Sequence, residues 1–194
     1  IRADPFLIRL MGAGLFKPKH QILGADMAGI VETVGKNVQE FQPGDEAFGE
    51  GSYGGFAEYA CVEANRFIKK PVSLSFEEAA AAPMASLTAL QGLRDKGKIQ
   101  AGQKVLVNGA SGGVGSFAVQ IAKSFDAIVT AVCSASKVEF VRSLGADFVM
   151  DYTKTDVTKN NEQYDLIFDV AAYRPVSEYK KILKPTSIYV MAGG

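Results

Sequence analysis

Asn108-Gly109-Ala110-Ser111-Gly112-Gly113-Val114-Gly115 decides how this chain is read. The apolar run Val105-Leu106-Val107 precedes it, and apolar residues recur after it at Val114, Phe117, Ala118, Ile121 and Ala122. The run is a buried strand, and the i, i+3, i+4, i+7, i+8 spacing is one face of a helix. Between them Ala110-x-Gly112-x-x-Gly115 is a G-x-G-x-x-G pattern with alanine in its first place. Such a segment turns sharply, lets the backbone approach a pyrophosphate without a Cβ in the way, and packs the helix close to the strand. The helix N-terminus then offers free N–H groups and partial positive charge to phosphate. The pattern, with its strand before and its helix after, points to dinucleotide binding.

Downstream the alternation repeats. Ile128 to Val132, Phe148 to Met150, Leu166 to Phe168 and Ser187 to Val190 read as strands. Val138, Val141 and Leu144 mark a helix that Gly145 stops in the left-handed conformation. Pro175 opens a further helix carrying Val176, Tyr179, Ile182 and Leu183. Short apolar strands alternating with helices imply an α/β fold, a parallel, doubly wound sheet with helices on both faces.

Upstream the character is different. Ala28 to Val34, Glu46 to Phe48 and Phe56 to Val62 read as strands, separated by Gly35-Lys36-Asn37, Gln42-Pro43-Gly44-Asp45 and the loop Gly49 to Gly55. Frequent turns between short strands suggest a small, partly open β-barrel. Ser75-Phe76-Glu77-Glu78 is a capping box that starts a helix through Ala82, which Pro83 ends or kinks, with a second helix from Ser86 through Leu87, Leu90 and Leu93. The expected division is a β-rich domain over 1–85 and a dinucleotide-binding domain over 86–194.

Charge and composition narrow the options. Lys plus Arg equals Asp plus Glu, so there is no basic surplus for nucleic acid, and no apolar run is long enough to span a membrane. Cys61 and Cys133 make no C-x-x-C pair, and a lone His20 rules out a multi-histidine metal site. Two reduced thiols and no signal peptide, since Arg9 and Lys17 interrupt the early apolar residues, fit a cytoplasmic protein.

The region after the second strand of the α/β part selects the cofactor. An acid there would bond the ribose 2′-hydroxyl of NAD. The chain instead reads Cys133-Ser134-Ala135-Ser136-Lys137, and the first acid is Glu139, already inside the helix. Ser134 can donate a hydroxyl to a 2′-phosphate and Lys137 can supply positive charge, so NADP(H) is expected over NAD(H). The alternative for Lys137 is a solvated residue near its helix start. No Tyr has a Lys four positions later, which removes the catalytic pair of short-chain dehydrogenases.

With these residues the chain resembles the medium-chain dehydrogenase/reductase superfamily, most closely its zinc-free quinone oxidoreductase (zeta-crystallin-like) branch. Leu23-Gly24-Ala25-Asp26-Met27-Ala28-Gly29, Gln42-Pro43-Gly44-Asp45, Gly55-Phe56-Ala57-Glu58-Tyr59 and Leu87-Thr88-Ala89 carry the resemblance, and Gly109 to Gly115 is its most specific element. It implies a partial GroES-like domain beside a partial Rossmann domain. It implies that Ser111, Gly112, Gly113 and Val114 line the pyrophosphate. Ser134 and Lys137 then hold the 2′-phosphate, Tyr152 contacts the cofactor beyond the third strand, and Thr88 lies at the nicotinamide end. Where zinc-dependent relatives carry Gly-His-Glu this chain has Gly24-Ala25-Asp26, and where they carry a ligand cysteine it reads Pro83-Met84-Ala85-Ser86. No metal is therefore expected, because zinc requires a nearly complete set of thiolate and imidazole ligands, and Asp26 is read as structural.

The resemblance implies hydride transfer from NADPH to a quinone or an α,β-unsaturated carbonyl. The alternatives are a zinc-dependent alcohol dehydrogenase-like enzyme and a NADPH-binding structural or regulatory protein without turnover. No catalytic residue is assigned. Tyr53 is a conceivable proton donor, equally accounted for as a loop aromatic packed on its own domain. The family's first domain begins before Ile1 and its sheet has a sixth, dimerising strand, so the chain is expected to be a piece of a protein that is homodimeric when complete.

Overall fold

Residues 22–193 are described by a computed structural model, so the readings placed on Ile1, Arg9, Lys17 and His20 lie outside the described residues. The chain divides into two compact units, Ile1–Met84 and Ala85–Gly194.

In the second unit the Val105–Val107 run becomes β4 (Lys104–Asn108) after three short strands of the first unit, and it lies at the centre of a five-stranded sheet. Its partners are β5 (Ile128–Cys133), β6 (Phe148–Asp151), β7 (Tyr164–Asp169) and β8 (Leu183–Met191). The order is β6-β5-β4-β7-β8 and every pairing is parallel. The order reverses at β4, so the C-terminal ends of β4 and β7 form the switch point where such sheets bind ligands. The sheet buries apolar side chains on both faces. One cluster joins Val105, Val107, Val129, Ala131, Leu166 and Phe168 to Ala118, Val119 and Ala122 of helix α3 (Gly113–Ser124) and Val141 of helix α4 (Val138–Ser143). The other joins Leu106, Val132 and Ile167 to Tyr179 of helix α5 (Val176–Tyr179) and Ile182. Burial on both sides explains why these strands read as solid apolar runs rather than alternating ones.

On α3 the wholly buried line is Gly115, Ala118, Val119 and Ala122, while Val114, Phe117 and Ile121 are only half-buried at its margin. The buried face is therefore rotated slightly from the one expected. Gly115 explains the rotation. A Cβ there would stand 2.1 Å from the Gly109 carbonyl oxygen and 2.8 Å from Ala110 Cα. The helix crosses the strand end at a distance only glycine permits.

Two carboxylates on β7 hold the sheet at its ends. At the start, Asp165 accepts the Lys104 amide at 2.9 Å and both its oxygens accept Lys184 Nζ at 2.7 Å, which ties β4, β7 and β8. Burial pushes this carboxyl up, but the Lys184 ammonium and the Lys104 amide outweigh it and hold the carboxyl below the usual carboxylate range. At the far end Asp169 is fully buried.

The first unit contains β1 (Asp26–Ile30), β2 (Glu46–Glu50) and β3 (Phe67–Lys69), an antiparallel sheet in that order. The expected capping box is present: Ser75 Oγ accepts the Glu78 amide at 3.2 Å and the Glu78 carboxylate accepts the Ser75 amide at 2.9 Å, which starts helix α1 (Phe76–Ala80). Lys70 is nearly buried. Its ammonium donates to the Leu74 carbonyl at 2.6 Å, pairs with Glu46 at 2.9 Å and lies 5.1 Å from the centre of the Phe76 ring.

Several expected boundaries differ. The strand from Ala28 stops at Ile30, because Val31 leaves the ladder to bond the Gly44–Asp45 turn. Phe56–Val62 is not a strand. Among the described residues only Phe56 bonds back, to Leu23, and Phe56 and Tyr59 are exposed, so no buried face fixes a register. Phe67–Lys69 is a strand that the apolar pattern did not mark. Pro83 starts helix α2 (Pro83–Leu90) instead of delaying it to Ser86, as suits a residue whose missing N–H costs nothing in a first turn. α2 then widens into π turns over Gln91–Lys96, where a Cβ on Gly92 would stand 2.2 Å from the Phe168 ring. Leu183 belongs to β8, which starts four residues before Ser187. Pro185 sits in the irregular stretch between the Leu183 and Ile188 pairings of this edge strand.

Gly115→Ala is expected to cost about 1–3 kcal/mol, the usual penalty of forcing atoms into a packed contact, read as a lowered urea midpoint. Lys184→Met is expected to destabilise at pH 7 and to do so progressively less as pH falls through and below about 4. Asp165 has a depressed folded pKa, so its contribution is present above its unfolded pKa and lost as it protonates; urea unfolding at both pH values checks this.

Candidate dinucleotide-binding site

β4 delivers Asn108 to the C-terminal edge of the sheet, and Gly109 turns the chain there at φ +82°. A Cβ at Gly109 would also meet the Ala171 amide at 3.1 Å and Ala171 Cβ at 3.2 Å. The turn is closed by the Gly109 and Ala110 amides, which both donate to the Val132 carbonyl, at 3.1 and 3.0 Å. Gly112 is the N-cap of α3 and carries no side chain that could cap it. The first-turn N–H groups therefore face outward without a side-chain acceptor, as an anion site requires.

The glycines have separate duties. Gly112 and Gly113 are exposed. A Cβ on Gly112 would meet only the Gly109 oxygen at 3.5 Å, and one on Gly113 only Ala85 Cβ at 3.8 Å. These two positions border open space that side chains would fill, whereas Gly109 and Gly115 are held by geometry. The bare mouth, the uncapped helix and the positive dipole end fit a diphosphate. Ser111 and Val114 border the same mouth, half-buried. Ala85 lies one turn before Thr88 on α2, on the same helix face, so the face that carries Thr88 reaches Gly113.

Beside this mouth, β5 ends at Cys133, and Ser134 takes the N-cap position of a short 3-10 turn, Ala135–Lys137, without a side-chain cap bond. Ser134 Oγ lies 3.4 Å from Ser136 Oγ, and the Lys137 side chain is exposed. The Tyr152 amide donates to the Cys133 carbonyl at 3.1 Å, which brings Tyr152, half-exposed, alongside the Ser134 turn. Ser111, Gly112, Gly113 and Val114 thus form one group, and Ser134, Lys137 and Tyr152 another on the adjacent strand ends. Cys133 is buried, and burial, followed by the charge of Asp151, pushes its thiol up, so it stays protonated at neutral pH.

A buried polar network under the turn escaped the sequence reading. Asn108 Nδ2 donates to Asp169 Oδ1 at 2.7 Å and to Tyr179 Oη at 2.9 Å. Tyr189 Oη donates to Asp169 Oδ2 at 2.7 Å, and the Ala172 amide donates to Asp169 Oδ1 at 2.9 Å. Ala172 adopts φ +47°, a left-handed conformation that costs an alanine energy and persists here because its amide is held. Burial pushes both tyrosine hydroxyls up, and the Asp169 carboxylate adds to this, so both stay protonated throughout the ordinary pH range. The network fixes the β7–α5 turn on which Gly109 rests. Its one trace in the sequence is a polar residue ending each of two apolar runs, Asn108 and Asp169.

Asp26 Oδ1 accepts the Met84 amide at 2.9 Å, a structural bond. Among the described residues no group of three or more His, Cys, Asp or Glu side chains is placed to hold a metal ion. Among them too, no helix is long and apolar enough to cross a membrane.

Comparison with known proteins agrees with this architecture. Residues 7–72 match the family described as alcohol dehydrogenase GroES-like domain, and residues 113–194 the family described as zinc-binding dehydrogenase. A 2-methylene-furan-3-one reductase of Solanum lycopersicum is 37% identical over 195 residues, covering 87% of this chain and 50% of the relative. A chloroplastic NADPH-dependent alkenal/one oxidoreductase of Arabidopsis thaliana is 36% identical with the same coverage. The quinone oxidoreductase structure from Coxiella burnetii superposes with a TM-score of 0.84 at 29% identity, over 93% of this chain and 57% of that one. The chain spans about half the length of the curated relatives it matches. A GroES-like segment, a parallel sheet wound about a glycine turn and these relatives together place the chain in the medium-chain dehydrogenase/reductase superfamily, beside its quinone oxidoreductases and enoyl reductases.

Proposed function

We propose that the protein carrying this chain is a NADPH-dependent oxidoreductase that transfers hydride to a quinone or an α,β-unsaturated carbonyl without zinc. The observation that carries the reading is the bare, uncapped mouth between Gly112 and Gly115, next to a strand end that offers Ser134 and Lys137 where an acid would select NAD. The names of the tomato and Arabidopsis relatives support the substrate class. In this reading residues 86–194 hold the cofactor, residues 1–85 contribute to the substrate side, and the complete protein is a cytoplasmic homodimer.

When bound, NADPH supplies the hydride, and the acceptor takes up a proton as well. The first-turn amides of α3 and Ser111 bind the diphosphate. Ser134 Oγ and the Lys137 ammonium bind the 2′-phosphate, and Tyr152 borders the adenosine end. Thr88 lies toward the nicotinamide end. The buried Asn108–Asp169–Tyr189 network would serve to hold the turn in shape. Metal-free function follows from the donor set. Asp26 is committed to the Met84 amide, Ala25 stands where a histidine would be needed, and Pro83-Met84-Ala85-Ser86 offers no cysteine. Charge developing on the acceptor oxygen is then met by hydrogen-bond donors.

The purified full-length protein is expected to consume NADPH absorbance in the presence of quinones or enals and to keep this activity after chelator treatment; absence of turnover across both acceptor classes would overturn the enzymatic assignment. Lys137→Ala is expected to weaken NADPH at least about tenfold while sparing NADH, since a hydrogen bond to a charged group contributes about 1.5–3 kcal/mol. Titration of each cofactor by fluorescence measures the ratio.

A further inference from the structure

Asp151 ends β6 and pairs in register with Cys133, the last residue of β5. Neighbouring strands lie about 4.8 Å apart, so its carboxyl stands beside the strand end from which the Ser134–Lys137 turn departs. Oδ1 accepts the Thr153 amide at 2.9 Å and the Thr153 hydroxyl at 2.8 Å. Oδ2 is sealed from solvent, and among the described residues no donor reaches it with good hydrogen-bond geometry. The nearest cation, Lys154 Nζ, is 3.9 Å from Oδ2 on a side chain that is 77% exposed. The Thr153 donors first, and then the Lys154 charge and the Ala135 amide, hold the carboxyl below the usual carboxylate range, so it is ionised at neutral pH. Its field reaches this turn, because it helps to push up the Cys133 thiol.

The turn therefore combines an exposed cation, Lys137, with a fixed anion. A sealed carboxylate oxygen whose ion pair is a long one to an exposed lysine is costly to keep, and a structural anchor alone would be served by the Oδ1 bonds to Thr153. We infer that Asp151 is a specificity-determining residue of this site: its charge beside the Ser134–Lys137 turn opposes the extra phosphate of NADPH and thereby preserves binding of NADH. The inference rests on the dinucleotide reading above and adds a residue that works against the preference set by Lys137. It also accounts for where the acid missing after β5 has gone. The acid stands one strand further on, beneath the turn instead of on it.

Fluorescence titration of the purified protein with NADPH and with NADH tests this, for the unaltered protein and for Asp151→Asn, which keeps the shape and an acceptor for Thr153. The affinity ratio in favour of NADPH is expected to rise on the order of fivefold, the scale of one partly screened charge at such a distance, and the gain is expected to shrink at high ionic strength. Equal changes for both cofactors, or a fall in the ratio, overturn the inference and leave the dinucleotide reading standing. Binding of neither cofactor by the unaltered protein overturns both. Should Asp151→Asn not fold, Asp151→Ser carries the same test; failure of both to fold assigns the carboxylate to the fold and overturns the proposal.

Discussion

Everything in the sheet unit is built around the contact between the Gly109 carbonyl oxygen and Gly115. The helix can lie across the strand end only because no Cβ intrudes at 2.1 Å. That closeness points the α3 N-terminus at the C-terminal edge of the sheet, where the strand order reverses. Gly109 supplies the positive φ that makes the turn, and Gly112 and Gly113 leave the mouth bare. Four glycines thus meet three separate physical demands: backbone freedom, close packing and empty space.

The turn is rigid because its neighbours are. Asp169 is a fully buried carboxylate, and burial of such a charge is tolerable only where donors surround it. Asn108, Tyr189 and the Ala172 amide supply them, from β4, β8 and the turn after β7. The same bonds hold Ala172 in a left-handed conformation and press Ala171 against Gly109. At the opposite end of β7, Asp165 joins the same three strands through Lys104 and Lys184. One strand is therefore pinned at both ends by carboxylates, and the phosphate turn rests on the pinned end.

The sequence is most legible where burial is complete. Val105–Val107, Val129–Val132 and Leu166–Phe168 are buried on both faces, so their apolar runs could only be inner strands. The capping box at Ser75 and the left-handed stop at Gly145 were also readable, since both depend on residues a few positions apart. Legibility fails where a pattern meets no partner. Phe56–Val62 alternates like a strand but is exposed, and among the described residues only Phe56 bonds back, so alternation there reflects no buried face. The start of the second helix was misplaced for a local reason: the helix before Pro83 does end ahead of it, but the proline also opens the next one.

The sequence by itself determined the glycine turn, its strand and helix, the missing acid after β5 and the Ser134 and Lys137 beside it, because all of these depend on neighbours along the chain. Only the tertiary structure decided that Asp151 pairs in register with Cys133, next to the Ser134 turn, and that Asn108, Asp169, Tyr179 and Tyr189 meet in one network. Those residues lie far apart in the chain and are brought together by the register between parallel strands. That register is set by which apolar faces the helices cover, a property of the whole sheet that no short stretch of sequence contains.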